Sequence, residues 1–259
     1  MLVLLPPSEG KATAVRGRPV ALDGLSLPGL GAARAAVLDE LVDLCAADVD
    51  KAADVLGLSP GLRGEVARNA GLRTAPAMPA GRLYTGVLYD ALGLATLDAA
   101  AKRRASKSLL VFSGLWGAVR LADRIPAYRC SMAVRLPGVG GLAAYWKPHL
   151  DRVLPDVAGG GLVLDLRSSV YAGAWRPRGE VAARTATVRV LQVSVVDGVE
   201  RRSVVSHFNK ATKGRLVRAL LSSGAGPRTP SALAADLRDL GFTVEADGGR
   251  LDVLVRDLH

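Results

Sequence analysis

The chain opens with Met1-Leu-Val-Leu-Leu5 and turns at once into Pro6-Pro-Ser-Glu-Gly-Lys11. A run this short and wholly apolar needs neighbours on both sides to be buried, which makes it an interior strand of a sheet covered by helices. Proline lacks the N–H that a ladder requires, so Pro6 and Pro7 end the strand. Ser8, Glu9 and Lys11 are thereby presented at a strand mouth, where α/β folds keep their chemistry. The far end repeats the design: Val204-Val205-Ser206 reads as a second apolar strand that empties into His207-Phe-Asn-Lys-Ala-Thr-Lys-Gly214, a basic, hydroxyl-rich segment that continues as helix.

Between these ends the periodicity predicts a strand over 2–5, a long loop over 6–28, helix over 31–55, and a break at Leu56-Gly-Leu-Ser-Pro-Gly-Leu62 followed by helix over 62–69. Residues 76–81 read as a linker, 94–105 as helix and 108–112 as a strand ending in Ser113-Gly-Leu-Trp-Gly117. Then come a strand over 130–136, helix over 141–154, a buried strand over 162–166, and a long strand over 185–195 that turns at Asp197-Gly198 and pairs with 200–206. Helices over 215–221 and 231–240 precede a terminal hairpin, 242–246 with 251–255, around Asp247-Gly-Gly-Arg250. Strands and helices mix without strict alternation, so the expected fold is mixed α/β, shading into α+β: a single domain over 1–259 with a sheet flanked by helices.

Several classes are excluded or disfavoured. No stretch of about 18 apolar residues offers a transmembrane span. The opening lacks the charged start and the length of a signal peptide, so the expected location is the cytoplasm, with no membrane partner. Two cysteines, Cys45 and Cys130, are too few for a disulfide framework and have no CxxC spacing; they read as buried free thiols. Of three histidines only His207 lies near a motif, while His149 follows Pro148 in a helix and His259 is terminal. No His/Cys/Asp/Glu spacing resembles a zinc or iron site, and neither a Walker loop nor a dinucleotide fingerprint appears, so no metal or cofactor is expected.

The formal net charge of +10 points toward polyanionic partners. The excess is spread out, with local richness at Lys102-Arg103-Arg104 with Lys107, at Arg176-Pro-Arg178 beside Trp175, and from Lys210 to Arg218. Only seven of the 34 basic residues are lysine. A compact ammonium kept against that arginine bias suits point contact with phosphate or a tunable pKa, and Lys11, Lys210 and Lys213 each sit at a strand end. Tyr84, Ser113, Tyr128, Arg129, Trp146, Arg167, Ser168 and Tyr171 fall at strand ends or on flanking loops. With Ser8 and the three lysines they could line one pocket of cations, phenols and hydroxyls around an aromatic wall. That inventory suits a phosphate-bearing or nucleobase-containing ligand, with Arg129 or Arg167 clamping oxygens and Trp146 or a tyrosine stacking. The plain alternative for the tyrosines is packing. Candidates for acid, base or nucleophile are Lys11, Glu9, Lys210, Lys213, Tyr84 and Tyr171.

Six blocks in order carry a further signal: Leu4-Leu-Pro-Pro-Ser-Glu-Gly-Lys11, Leu83-Tyr-Thr-Gly86, Phe112-Ser-Gly-Leu-Trp-Gly117 with Pro126-Ala-Tyr-Arg129, Tyr145-Trp146, Leu166-Arg-Ser-Ser-Val-Tyr171, and Ser206-His-Phe-Asn-Lys-Ala-Thr-Lys-Gly214. Their collinear arrangement resembles the YaaA family of peroxide-stress proteins across the whole chain. The opening, Pro7-Ser8-Glu9-Gly10, departs from the Pro-Ala-Lys-Thr-like turn of the best-known bacterial member, displacing its lysine, and Ser206-His207-Phe208 stands where the family often has Ser-Phe-Tyr. The resemblance implies a single mixed α/β domain with a positively charged cleft, binding of double-stranded DNA, and protection from hydrogen peroxide, partly by limiting free iron. It also implies a helix-hairpin-helix-like segment near 55–67, where a glycine turn would offer backbone N–H groups to a phosphate beside Arg63; as a bare pattern, a glycine pair between helices is more often an ordinary αα turn. A second such signature at Leu136-Pro-Gly-Val-Gly140-Gly-Leu-Ala-Ala144 follows a strand pattern and reads instead as a strand-to-helix turn.

Two functions follow. The first is a peroxide-stress protein that binds duplex DNA through phosphate contacts in a basic cleft. The second is an enzyme acting on a nucleotide-like or other anionic small molecule in a pocket of Lys11, Tyr84, Arg129, Ser168, Tyr171, Lys210 and Lys213. The first is favoured by the family resemblance, the second by the clustering of polar residues at strand ends.

Overall fold

The structure is a computed structural model describing residues 1–196, 199–204 and 206–256. The expected turn at Asp197-Gly198, together with Val205, His259 and the His207 side chain, lies outside the described residues. Among the described residues eight strands form one sheet: β1 (Leu2–Leu5), β2 (Leu109–Ser113), β3 (Gly117–Arg120), β4 (Val163–Asp165), β5 (Thr185–Val196), β6 (Val199–Ser203), β7 (Thr243–Asp247) and β8 (Arg250–Arg256). Their order is β7-β8-β5-β4-β1-β2-β3, with β6 also on β5. β1 runs parallel to both β2 and β4, β4 parallel to β5, and β5 parallel to β8. The outer pairs β2–β3 and β7–β8 are antiparallel, as is β6 on β5.

The residues explain this centre. Every residue of β1, β2 and β4 is buried, the signature of parallel strands covered on both faces. Val3 pairs with Leu109 on one side and Leu164 on the other. Strand order therefore reverses about β1, with β2 on one flank and β4 on the other. In open parallel sheets a crevice forms outside the carboxyl ends at such a reversal.

Helices cover the sheet: α1 (Gly31–Ala47), α2 (Val49–Leu56), α3 (Gly64–Ala70), α4 (Val87–Leu92), α5 (Ala99–Ser108), α6 (Leu142–Ala158), α7 (Ser206–Ser223) and α8 (Pro230–Asp239). The expected single helix over 31–55 is two, because Asp48 is extended and its carboxylate accepts from the N–H groups of Asp50 and Lys51 at 3.0 Å. That is an N-cap, which starts a new helix. Gly57, at φ 64°, ends α2 in the left-handed cap that glycine adopts without a Cβ penalty. Arg104 of α5 donates to the carbonyl of Leu221 at 2.7 Å, tying α5 to the end of α7.

Three expected elements need correction. The strand over 130–136 is extended only at Arg135–Leu136, which pairs with Gly140–Gly141 before α6 begins, so the glycine-rich stretch there is a strand turn into a helix. The second apolar strand ends at Ser203 and not at Ser206, where α7 already starts. The linker over 76–81 contains the two-residue strand Met78–Pro79, paired with Arg124–Ile125, and runs into a helical turn, Ala80–Leu83. The region near 55–67 consists of the end of α2, a 3-10 turn at Pro60–Leu62 and the start of α3. Among the described residues no helix is long and apolar enough to cross a membrane.

Candidate functional site at the strand ends

The turn after β1 is built by its neighbours. The Pro6 carbonyl accepts from the Tyr89 hydroxyl at 2.7 Å. Ser8 Oγ accepts from the Thr85 N–H at 3.1 Å and donates to the Gly10 carbonyl at 2.5 Å. Lys11 and Tyr84 form an antiparallel bridge, and the Ala12 N–H reaches the Leu83 carbonyl at 2.8 Å. Residues 8–12 are thus stitched to residues 83–85.

Lys11 folds back under this turn. Its Nζ donates to the carbonyl of Ser8 at 2.8 Å and to that of Glu9 at 3.4 Å, and lies 4.4 Å from the Tyr128 ring centroid. Burial brings its pKa down to about 8, against an upward pull from Glu9. Behind it the Tyr128 hydroxyl bonds Ser113 Oγ at 2.6 Å and the Tyr84 hydroxyl at 3.0 Å, and Ser113 Oγ accepts from the Trp116 N–H at 3.0 Å. Burial pushes the phenols of Tyr84 and Tyr128 up, well out of the physiological range, so both remain neutral hydrogen-bonding groups. Arg129 is oriented by Asn69, whose amide bonds both backbone groups of Arg129 at 2.8 and 2.9 Å, and its guanidinium meets Glu9 at 3.1 Å.

On the other flank of β1, the Leu166 carbonyl after β4 accepts from Lys213 Nζ at 3.1 Å. Burial lowers the Lys213 pKa, with the charge of Asp165 opposing the shift. Lys210 stands one turn earlier on α7, exposed. Between the two flanks lies a crevice of about 540 Å³ whose walls are the Pro6–Gly10 turn, residues 85–89, Leu166, Ser168 and Tyr171, and the start of α7 with Asn209, Lys210 and Lys213. Burial raises the Tyr171 phenol to about 12, so it too faces the crevice neutral.

Six of the expected residues, Ser8, Glu9, Ser168, Tyr171, Lys210 and Lys213, line this crevice together. Lys11, Tyr84, Ser113, Tyr128 and Arg129 form the layer that shapes its lip. Arg167 is elsewhere engaged. Its guanidinium, completely buried, donates to both carboxylate oxygens of Asp165 at 2.8 and 2.6 Å and to the Trp175 carbonyl at 2.9 Å, and sits 4.2 Å from the Phe112 ring centroid. It locks the end of β4 and has no clamp to offer a ligand. Trp146 is also core: its indole N–H donates to the Gly114 carbonyl at 2.7 Å and its ring fills the space that a side chain on Gly117 would need. Trp175, beside the basic pair Arg176 and Arg178, is buried. Arg63 is exposed, pairs with Asp50, and does not line the crevice. Thr85, Tyr89 and Asn209 also line the crevice: Thr85 and Asn209 lie within the Leu83–Gly86 and Ser206–Gly214 blocks of the sequence, and Tyr89 lies three residues beyond Gly86, in α4. Among the described residues no group of three or more His, Cys, Asp or Glu side chains is placed to hold a metal ion.

Comparison with known proteins bears on the same chain. The family model described as "Peroxide stress protein YaaA" matches residues 1–247. A UPF0246 protein of Streptomyces coelicolor is 66% identical over 266 aligned residues, covering 100% of both chains. UPF0246 proteins of Corynebacterium efficiens and Corynebacterium glutamicum are 42% and 40% identical, each over 98% of both chains.

Proposed function

The chain belongs to the YaaA family of peroxide stress proteins, and on that premise we propose that it works by holding a phosphate-bearing ligand in the crevice beside β1. The observation that carries this reading is the convergence of Lys210, Lys213, Ser168 and Ser8, from three separate segments, on one cavity of about 540 Å³. That volume is in the range of small-ligand sites, and about the size that a nucleotide needs. The two lysines follow the first turn of α7, whose free N–H groups and helix dipole also favour an anion. DNA fits the same chemistry if its backbone phosphates, or one extruded nucleotide, occupy the crevice. The net charge of +10 favours that macromolecular form.

A second reading is catalysis on a nucleotide-like anion, and the buried amine of Lys11 favours it. With a pKa of about 8, a fraction of Lys11 is neutral at physiological pH, which a group serving only as a fixed cation does not require. The deciding experiment titrates adenosine 5′-monophosphate and a short duplex against the protein, its Lys210→Ala/Lys213→Ala form and its Lys11→Arg form, alongside survival of cells in peroxide. The double alanine form should lose about tenfold or more in affinity for both ligands, the scale of one or two charge-assisted hydrogen bonds. Unchanged affinity would remove the crevice from the mechanism. Lys11→Arg that binds normally but no longer protects would favour the enzyme.

A further inference from the structure

We propose that the protein carries a second binding site, for a small amphipathic anion, distinct from the crevice, with Tyr89 alone among the described residues lining both. The site is a cavity of about 650 Å³ between the Ala80–Leu83 turn, α4 and α5. It is larger than the crevice and of quite different chemistry.

Its floor is apolar. Pro79, Leu94, Ala105 and Leu121 supply aliphatic surface, and Tyr84 and Tyr89 add an aromatic wall, their rings stacked at 5.4 Å with an interplanar angle of 24°. Both phenol oxygens are already engaged, Tyr84 with Tyr128 and Tyr89 with the Pro6 carbonyl. The rings therefore offer this cavity hydrocarbon rather than hydroxyl. Its margin is charged, with Arg82 and Lys102 against the single carboxylate of Asp90. Among the described residues neither Arg82 nor Lys102 is in an ion pair. An apolar body with one anionic group is the ligand that satisfies both floor and margin.

The cavity is also held open by contacts around its walls. Arg218 of α7 donates from one Nη1 to the carbonyls of Leu92 and Gly93 at 3.0 and 2.9 Å and reaches Thr96 Oγ1 at 3.0 Å, so the connection between α4 and α5 is pinned from behind. Gly93, at φ 58°, admits this because a Cβ there would stand 2.7 Å from the same guanidinium nitrogen. At the opposite wall Gly81 approaches Leu121 so closely that a Cβ would be 3.3 Å from the leucine Cβ. A site fixed this way needs little ordering when it binds, which favours affinity for a small ligand.

The test uses 8-anilinonaphthalene-1-sulfonate, an aromatic body with one sulfonate, and its uncharged counterpart N-phenyl-1-naphthylamine, with circular dichroism to confirm that each variant is folded. One equivalent of the sulfonate should bind with a fluorescence rise. Arg82→Ala/Lys102→Ala should weaken the sulfonate about threefold to tenfold, the modest scale of exposed charges, and leave the neutral probe unchanged. Ala95→Trp and Ser106→Trp, at two exposed lining positions where a larger side chain does not disturb the core, should abolish binding of both probes. Absence of sulfonate binding overturns the proposal, as does binding that survives both tryptophans. Loss of binding in Lys210→Ala with retention in Ala95→Trp would place the probe in the crevice and equally overturn it.

Discussion

Lys11 is held where an ammonium is costly, and that cost has a sign that can be measured. Its pKa is lowered from 10.5 to about 8 in the folded chain. Below pH 8 both folded and unfolded states carry the proton, and the folded state bears the full desolvation penalty. Between about 8 and 10.5 the folded state releases the proton while the unfolded chain keeps it, so stability contributed at this position rises with pH. Chemical denaturation of the protein and of Lys11→Met across pH 7 to 10.5 should show the wild type gaining on the variant by about 1–3 kcal/mol over that window. A difference that stays constant, or runs the other way, means that Lys11 is not desolvated as described. Arg167 shows the opposite use of a buried cation: it is paired with Asp165, bonded to a backbone carbonyl and stacked on Phe112, so its charge is spent on holding β4. The sequence does not tell these two apart: both are cations that follow an apolar strand, and each has a carboxylate two residues before it, Glu9 or Asp165.

At the scale of elements, what was legible was whatever is locally encoded. The apolar runs at 2–5, 109–112 and 162–164 mark the parallel centre, and the terminal hairpin is announced by Asp247-Gly-Gly-Arg250. The apolar pattern of α7 reads only from its second half, because Asn209, Lys210 and Lys213 before it are polar and line the crevice. The alternation at 130–136 mimics a strand, yet most of it is a loop that packs Cys130, Met132 and Val134 inward without ladder partners. The site divides in the same way. Residues at strand mouths could be nominated one by one, but which of them face the crevice depends on the parallel register about β1 and on how closely α7 approaches α4. That approach rests on Gly214, where a Cβ would lie 2.2 Å from the Leu88 carbonyl oxygen and 2.9 Å from Ala91 Cβ. In an open helix Gly→Ala gains about 1 kcal/mol. Here overpacking should reverse the sign, so Gly214→Ala is expected to destabilise by about 2 kcal/mol or more and to lower Tm by several degrees. Gly64→Ala in α3, with no atom within 4 Å of its added Cβ, should be neutral or stabilising. If thermal melts rank the two alike, the contact between α7 and α4 is looser than described, and the position of Lys213 with it.

For the molecule as a whole, the question is whether +10 charges act as a diffuse cloud or through one locus. Many of the arginines are already answered: Arg63 by Asp50, Arg73 by Asp39, Arg189 by Asp252, Arg202 by Glu200 and Glu245. A cation that keeps its carboxylate partner displaces no counterion from DNA, whereas one that meets a phosphate contributes about 0.9 to the slope of log affinity against log salt. Duplex binding measured by fluorescence anisotropy from 50 to 200 mM salt should therefore fall steeply for the wild type. The slope should shrink by about one to two in Lys210→Ala/Lys213→Ala, which removes the two cations at the crevice. Arg63→Ala should leave it unchanged, because Asp50 holds that guanidinium away from the task and the segment over 55–67 does not line the crevice. The reverse pattern, a slope reduced by Arg63→Ala and untouched by the lysine pair, would move the phosphate contacts to the α2–α3 turn and leave the crevice to a small ligand alone.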